Sequence, residues 1–370
     1  MIASGRTAIA AFARRPPSLR LILLLVSLLL WGGVQAAPTP AEPDEVFGST
    51  GNVPEDDFFE FNDTPLDQDL ILPDWFKLSF LELGNDLKDA IKAGKQGLIV
   101  YFGQKDCAYC KAHLENNWGD IYISAYTQKH FDVVAIDIRG DRPVADINGK
   151  VYRTEKEFAV ASRANFTPTL IFYNAKGEEA LRLPGYHPPY QFFAALEYVV
   201  DGYYRNEPLG DYLHRAAMFS EYGNDMLNPS PAFASPPYVL DRSIFPSQMP
   251  LAVFFEKTRC HACDILHSGP LSDTKTLQTL TQLEVVQLDM RSSTPVMTPR
   301  GEKTTAAQWA KELGIFYTPT LVFFDERGRE IIRIDSVVGF YRLNNVLRFV
   351  LTKGYLETPN FQVWRQRNKR

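Results

Sequence analysis

Two stretches of the chain about 152 residues apart follow one pattern, so it reads as a duplicated domain rather than a single large core. The first copy runs Gly97-Leu-Ile-Val-Tyr-Phe-Gly-Gln-Lys-Asp-Cys107-Ala-Tyr-Cys110 and the second Pro250-Leu-Ala-Val-Phe-Phe-Glu-Lys-Thr-Arg-Cys260-His-Ala-Cys263, each a short apolar strand entering a Cys-x-x-Cys. Phe131–Arg139 then matches Leu283–Arg291, again a buried-strand signature. Thr167-Pro168-Thr169-Leu-Ile-Phe matches Thr318-Pro319-Thr320-Leu-Val-Phe, and Gly202, Pro208 and Tyr212 are answered by Gly354, Pro359 and Trp364.

Between these landmarks the hydrophobic period alternates. Helical spacing marks Phe80–Ala93, Glu155–Arg163 and Tyr190–Val200, while Thr169–Tyr173 and Ala180–Leu183 read as strands. Asn174-Ala-Lys-Gly177 and Asp325-Glu-Arg-Gly328 supply equivalent tight turns, so each copy reads β-α-β-α-β-β-α, an α/β fold.

The ends carry a different message. Arg6, Arg14, Arg15 and Arg20 precede the apolar run Leu21 to Trp31 and a small-residue exit at Ala36, the pattern of a cleavable secretory signal over residues 1–36. The apolar run falls short of the roughly 20 residues that cross a bilayer. Removing the segment takes away four arginines and no acids, so the formal charge falls from −5 to −9, and nothing in that balance recruits nucleic acid. Residues 37–74 are acidic and proline-rich, which predicts a flexible lead-in, with the aromatic cluster ending at Phe61 as a segment able to dock. The first domain is expected over 75–215, a linker containing the proline-rich run Asn228–Pro237 over 216–247, and the second domain over 248–370.

A strand ending in Cys-x-x-Cys, with the proline of a Thr-Pro pair 56 to 58 residues beyond the second cysteine and an apolar strand after it, resembles the thioredoxin superfamily. The resemblance covers nearly the whole mature chain and implies two tandem thioredoxin-like folds, each a central mixed β-sheet flanked by helices. Trp75-Phe-Lys-Leu-Ser-Phe, Tyr186-His-Pro-Pro-Tyr and Cys263-Asp-Ile-Leu-His267 are most similar to periplasmic thioredoxins of the SoxW type. It further implies that the Thr167–Pro168 and Thr318–Pro319 bonds are cis and that these loops lie against the cysteines, exposing backbone where a substrate segment pairs. The chain also departs from the family. The buried acid six residues before the first cysteine is replaced by Tyr101 and Phe254, the tryptophan just before that cysteine by Asp106 and Arg259, and the usual Gly-Pro between the cysteines is absent. These changes put the redox potential and proton handling in question rather than the reaction class.

A disulfide across so short a loop removes little entropy from the unfolded chain, so Cys-x-x-Cys is a poor structural staple. At a helix start the leading sulfur faces unpaired N–H groups and the positive end of the helix dipole, which lower its pKa and favour the thiolate. Cys107 and Cys260 are therefore the candidate nucleophiles, and Cys110 and Cys263 the resolving partners, with no cofactor required. Zinc knuckles pair two such motifs within about 15–20 residues, whereas these are about 150 apart. A metal alternative rests on Cys260, Cys263 and His267, the last two at i and i+4 on a helix face. Covalent haem attachment needs histidine directly after the second cysteine, where Lys111 and Asp264 stand. Arg259 and His261 favour a thiolate at Cys260 while Asp106 opposes one at Cys107, which predicts electron flow from the first pair to the second.

The leading functional expectation is an exported protein-disulfide reductase. The resemblance implies a membrane thiol transporter as electron donor and oxidised cysteines of exported proteins as substrates. A disulfide oxidase or isomerase is the enzymatic alternative, and a chaperone or metallochaperone that uses the fold for binding is the alternative of another class.

Overall fold

In the computed structural model, residues 61–217 and 226–368 are described, and they pack as one unit. The expected signal segment and residues 37–60 of the lead-in lie outside the described residues. Among those described, no helix is long and apolar enough to cross a membrane.

The first domain runs α1 (Leu83–Lys92), β1 (Gly97–Gly103), α2 (Ala108–Ala112), a π-turn (His113–Asn117), α3 (Ile121–His130) and β2 (Phe131–Asp137). A small hairpin of β3 (Val144–Ala145) and β4 (Val151–Tyr152) precedes α4 (Glu155–Ala161), β5 (Thr169–Asn174), β6 (Glu179–Pro184), α5 (Pro189–Val200) and α6 (Leu209–Ala217). The second domain adds β7 (Tyr238–Val239), β8 (Leu251–Glu256), α7 (His261–Ser268), α8 (Thr274–Leu280), β9 (Glu284–Asp289), β10 (Pro295–Met297), β11 (Lys303–Thr305) and α9 (Ala306–Glu312). It closes with β12 (Thr320–Phe324), β13 (Glu330–Ile334), α10 (Phe340–Leu351), α11 (Gly354–Glu357) and α12 (Phe361–Arg367).

Each domain is built on a mixed four-stranded sheet, ordered β2-β1-β5-β6 in the first and β9-β8-β12-β13 in the second, with β1 parallel to β2 and β8 parallel to β9. The central strands β1 and β8 are unbroken apolar runs because both of their faces are covered. The period of two sends Leu98, Val100 and Phe102 into one core layer and Ile99 and Tyr101 into the other, and does the same with Leu251, Val253 and Phe255 against Ala252 and Phe254. Both predicted turns form alike. Asn174 Oδ1 accepts from the N–H groups of Lys176 and Glu178, Asp325 Oδ1 from those of Arg327 and Arg329, and the closing Gly177 and Gly328 sit at φ +79° and +75°.

Two expectations need correction. Residues 61–74, read as part of a flexible lead-in, pack on the first domain: Leu66 and Leu70 donate their N–H groups to the carbonyls of Asp106 and Lys105, and Phe61 meets Tyr109 and Tyr186 edge-on. Acidic composition missed this because one aromatic ring and one carboxylate, Asp63, find buried partners. Residues 226–247, read as a linker, belong to the second domain. Ala234 donates to the Val285 carbonyl, β7 pairs in parallel with β10, and the buried Arg242 meets Glu284 at 2.7 Å. The prolines stiffen this segment, yet its alternate apolar residues Phe233, Tyr238 and Leu240 enter the second domain's cores.

Candidate active site

Cys107 and Cys260 each occupy the N-cap of the helix that follows, α2 and α7, in extended backbone conformation. The Cys110 N–H donates to Cys107 Sγ at 2.9 Å, and the Cys263 N–H to Cys260 Sγ at 3.1 Å. Each pair is joined as a disulfide, with Cα atoms 5.1 and 5.2 Å apart. A sulfur at this position receives a donor that a helix start leaves unpaired, and that donor favours the anion over the thiol.

The Thr-Pro loops lie against the cysteines as the family resemblance implies, but their backbone is buried rather than exposed for a substrate segment, with Thr167 2% and Thr318 9% accessible. Both bonds are cis, and Thr167 Oγ1 stands 3.3 Å from Cys107 Sγ with the Thr167 carbonyl at 3.6 Å. The corresponding Thr318 distances to Cys260 Sγ are 3.5 and 3.7 Å. Each loop is pinned from behind, since the Thr169 hydroxyl donates to the Phe166 carbonyl at 2.6 Å and the Thr320 hydroxyl to the Tyr317 carbonyl at 2.7 Å. Cys107, Cys110, Thr167 and Pro168 therefore form one group, and Cys260, Cys263, Thr318 and Pro319 its repeat. The leading cysteines retain 4% and 6% exposure, and the second cysteine of each pair none.

Around this shared frame the two sites differ. In the first, Tyr109, inside the Cys-x-x-Cys, donates its hydroxyl to Asp63 at 2.7 Å and accepts the Gly339 N–H at 2.7 Å. Asp63 also accepts the N–H groups of Tyr341 and Arg342, so a residue of the lead-in caps α10 of the second domain. The Arg342 guanidinium lies 3.3 Å from the Tyr109 ring centroid and donates to the Thr167 carbonyl at 3.1 Å. In the second copy Ala262 stands where Tyr109 does, and Gln191 of the first domain stands where Arg342 does.

Asp63 and Arg342 went unnoticed in the sequence. Tyr109 is visible inside its motif, but the other two carry no local signal because the site groups they meet, Tyr109 for Asp63 and Thr167 for Arg342, are 46 and 175 residues away.

The charge reading at Cys107 is corrected. Asp106 is paired with Arg139 at 2.7 Å, and Arg342 and Arg365 line the same interdomain cleft beside the sulfur. The immediate surroundings are therefore not net acidic, which removes the Cys107 half of the charge argument for electron flow. Burial holds the guanidinium pKa values of Arg342 and Arg365 below the usual arginine range.

The metal alternative at His267 finds its ring committed elsewhere, because Nε2 meets the two carboxylate oxygens of the fully buried Glu256 at 3.0 and 3.2 Å. Among the described residues, no group of three or more His, Cys, Asp or Glu could hold a metal ion. Glu256 lies two residues beyond Phe254 on the same strand face, so the second domain keeps a buried acid near its helix, displaced from the expected position. In the first domain Tyr101 stacks on the buried His113, whose pKa burial pushes down to about 3.

Two mixed sheets, each presenting a helix-capping Cys-x-x-Cys against a cis Thr-Pro loop, define a tandem dithiol-disulfide protein equipped for thiol-disulfide exchange. The thioredoxin-like domain family matches the chain twice, over residues 83–200 and 245–351, and the chain belongs to that family. Similar solved structures each align with about one copy. A thioredoxin-fold protein from Helicobacter pylori is 26% identical over 40% of this chain and 94% of that chain, at a TM-score of 0.32. A thioredoxin from Thermus thermophilus is 24% identical over 32% and 84%, at a TM-score of 0.27. No curated protein matches the chain significantly.

Proposed function

We propose that the chain is an exported thiol:disulfide oxidoreductase that reduces disulfides of periplasmic proteins, with Cys107 and Cys260 as the attacking sulfurs. The reading is carried by the recurrence in both domains of a leading sulfur that caps a helix, accepts the second cysteine's N–H and faces a Thr-Pro loop. In the reaction, a Cys107 or Cys260 thiolate attacks a substrate disulfide. One substrate sulfur leaves as a thiolate, and a mixed disulfide forms. Cys110 or Cys263, once deprotonated, attacks the enzyme sulfur of that bond and releases the second substrate thiolate. The enzyme ends oxidised and the substrate reduced by two electrons, and an external dithiol resets the pair. The Thr167-Pro168 and Thr318-Pro319 loops hold each leading sulfur in place; they are buried, and the Thr167 and Pro168 carbonyls already accept from Arg342 and Gly185, so they offer no open edge to a substrate strand.

Export and direction rest on the signal-like residues 1–36 and on the resemblance to periplasmic thioredoxins, which also suggests a membrane thiol transporter as donor. Insulin reduction with dithiothreitol as donor tests the mechanism. Cys107→Ala combined with Cys260→Ala should abolish turnover, and surviving activity would reject the redox role. Equilibration with glutathione tests direction: both pairs should be more reducing than glutathione, and a more oxidising pair would favour a disulfide oxidase or isomerase. N-terminal sequencing of the exported protein should begin at Ala37.

A further inference from the structure

We propose that Arg342, a residue of the second domain, is a positioning residue of the first domain's redox site, holding Cys107 as a thiolate and fixing the Thr167 carbonyl beside it. This rests on the reading of Cys107 as a nucleophile. Arg342 is a buried cation whose guanidinium hydrogen-bonds to neutral oxygens: Ser336 Oγ at 3.0 Å, the Val337 carbonyl at 3.3 Å and the Thr167 carbonyl at 3.1 Å. The Thr167 oxygen is itself 3.6 Å from Cys107 Sγ, so the guanidinium lies one carbonyl away from the sulfur and, by taking that oxygen's lone pair, weakens its pull on a thiol proton. A positive charge this close, in a narrow and mostly buried cleft, acts on the sulfur with less screening than in open water and favours its anion.

The other charges facing the sulfur do not cancel this one. Asp106 is matched by Arg139, and Lys105 pairs with Asp69. Asp63, which accepts from two backbone N–H groups and the Tyr109 hydroxyl, remains a countercharge to Arg342. Arg365 adds a second guanidinium to the cleft. Asp335, whose pKa burial raises to about 7, also acts on Arg342, and burial holds His113 and His187 neutral. The position equivalent to Arg342 in the other copy is Gln191, so the device belongs to the first site alone and makes its activity depend on the docked second domain.

The test uses the full mature chain carrying Cys110→Ala, Cys260→Ser and Cys263→Ser, which leaves Cys107 as its one thiol. The iodoacetamide alkylation rate is followed from pH 4 to 9 with Arg342 intact, with Arg342→Lys and with Arg342→Met. The midpoint should rise by about one pH unit in Arg342→Met and by less in Arg342→Lys, which keeps the cation. If Arg342→Met lacks a cooperative melt, Arg342→Gln carries the same comparison, since its amide can still reach the carbonyl without charge. Coincident midpoints overturn the proposal, as does a rate that rises equally at every pH, which would mark Arg342 as a steric plug. A Cys107 that fails to react at any of these pH values with Arg342 intact overturns the nucleophile reading itself.

Discussion

Phe166 and Tyr317 occupy the same place in the two repeats, each just before its Thr-Pro pair, and each is buried in the other domain's core. Phe166 lies among second-domain residues with Phe361 at 5.4 Å, and Tyr317 among first-domain residues with His187 at 5.2 Å. The loops that face the cysteines thus also anchor the two domains to each other. Deleting the Phe166 ring by Phe166→Ala should cost about 3–5 kcal/mol in urea unfolding. A loss under about 1 kcal/mol would show that the interface packs loosely.

Tyr317 differs in carrying a buried hydroxyl that has no hydrogen-bond partner. Tyr317→Phe keeps the ring and removes that cost, so it should be neutral or stabilising by about 1 kcal/mol. A clear loss of stability would reveal a partner for the hydroxyl.

The Asp106–Arg139 pair makes a prediction with a sign. Asp106→Asn should lower the midpoint of Cys107 alkylation and Arg139→Met should raise it, each by roughly half a unit or more. The double variant should return close to wild type, because the pair's two fields oppose each other at the sulfur. A double variant that follows either single change would mean that only one of the charges reaches Cys107.

Glu256 anchors a buried network in the second domain, accepting from the Gln287 side chain at 3.0 Å besides meeting His267. Glu256→Ala strands the His267 ring and leaves the Gln287 amide with the Asn228 carbonyl alone, and should destabilise the protein by about 2–4 kcal/mol, with Glu256→Gln costing less. Chemical denaturation of the two variants side by side measures the difference.

His113 and His187 give the protein a pH-dependent stability. Burial pushes their pKa values down to about 3 and about 4, from 6.5. Between those values and 6.5 the unfolded chain binds protons that the folded chain refuses, so their contribution is full above pH 6.5 and is lost as the pH falls toward 4. Asp335, raised to about 7, works in the opposite sense over much of this window. His113→Phe fits the aromatic cage of Trp118 and Phe192 and should flatten the fall in melting temperature between pH 6.5 and 4. An unchanged slope would place the imidazole in contact with water.

The chain by itself determined the duplicated fold and the core of each site. Strand burial, the Asn174 and Asp325 turns and the Cys-x-x-Cys pairs depend on short-range periodicity and fixed local spacing, which a linear pattern preserves. Only tertiary structure decided how the sites differ. Asp63 reaching α10, Arg342 reaching Thr167, Arg139 pairing with Asp106 and Glu256 meeting His267 join groups brought together by packing, and a buried charge takes its effect from neighbours distant in sequence. The same physics drew residues 61–74 and 226–247 into the fold, because a few well-placed rings and polar groups with buried partners outweigh a composition that reads as flexible.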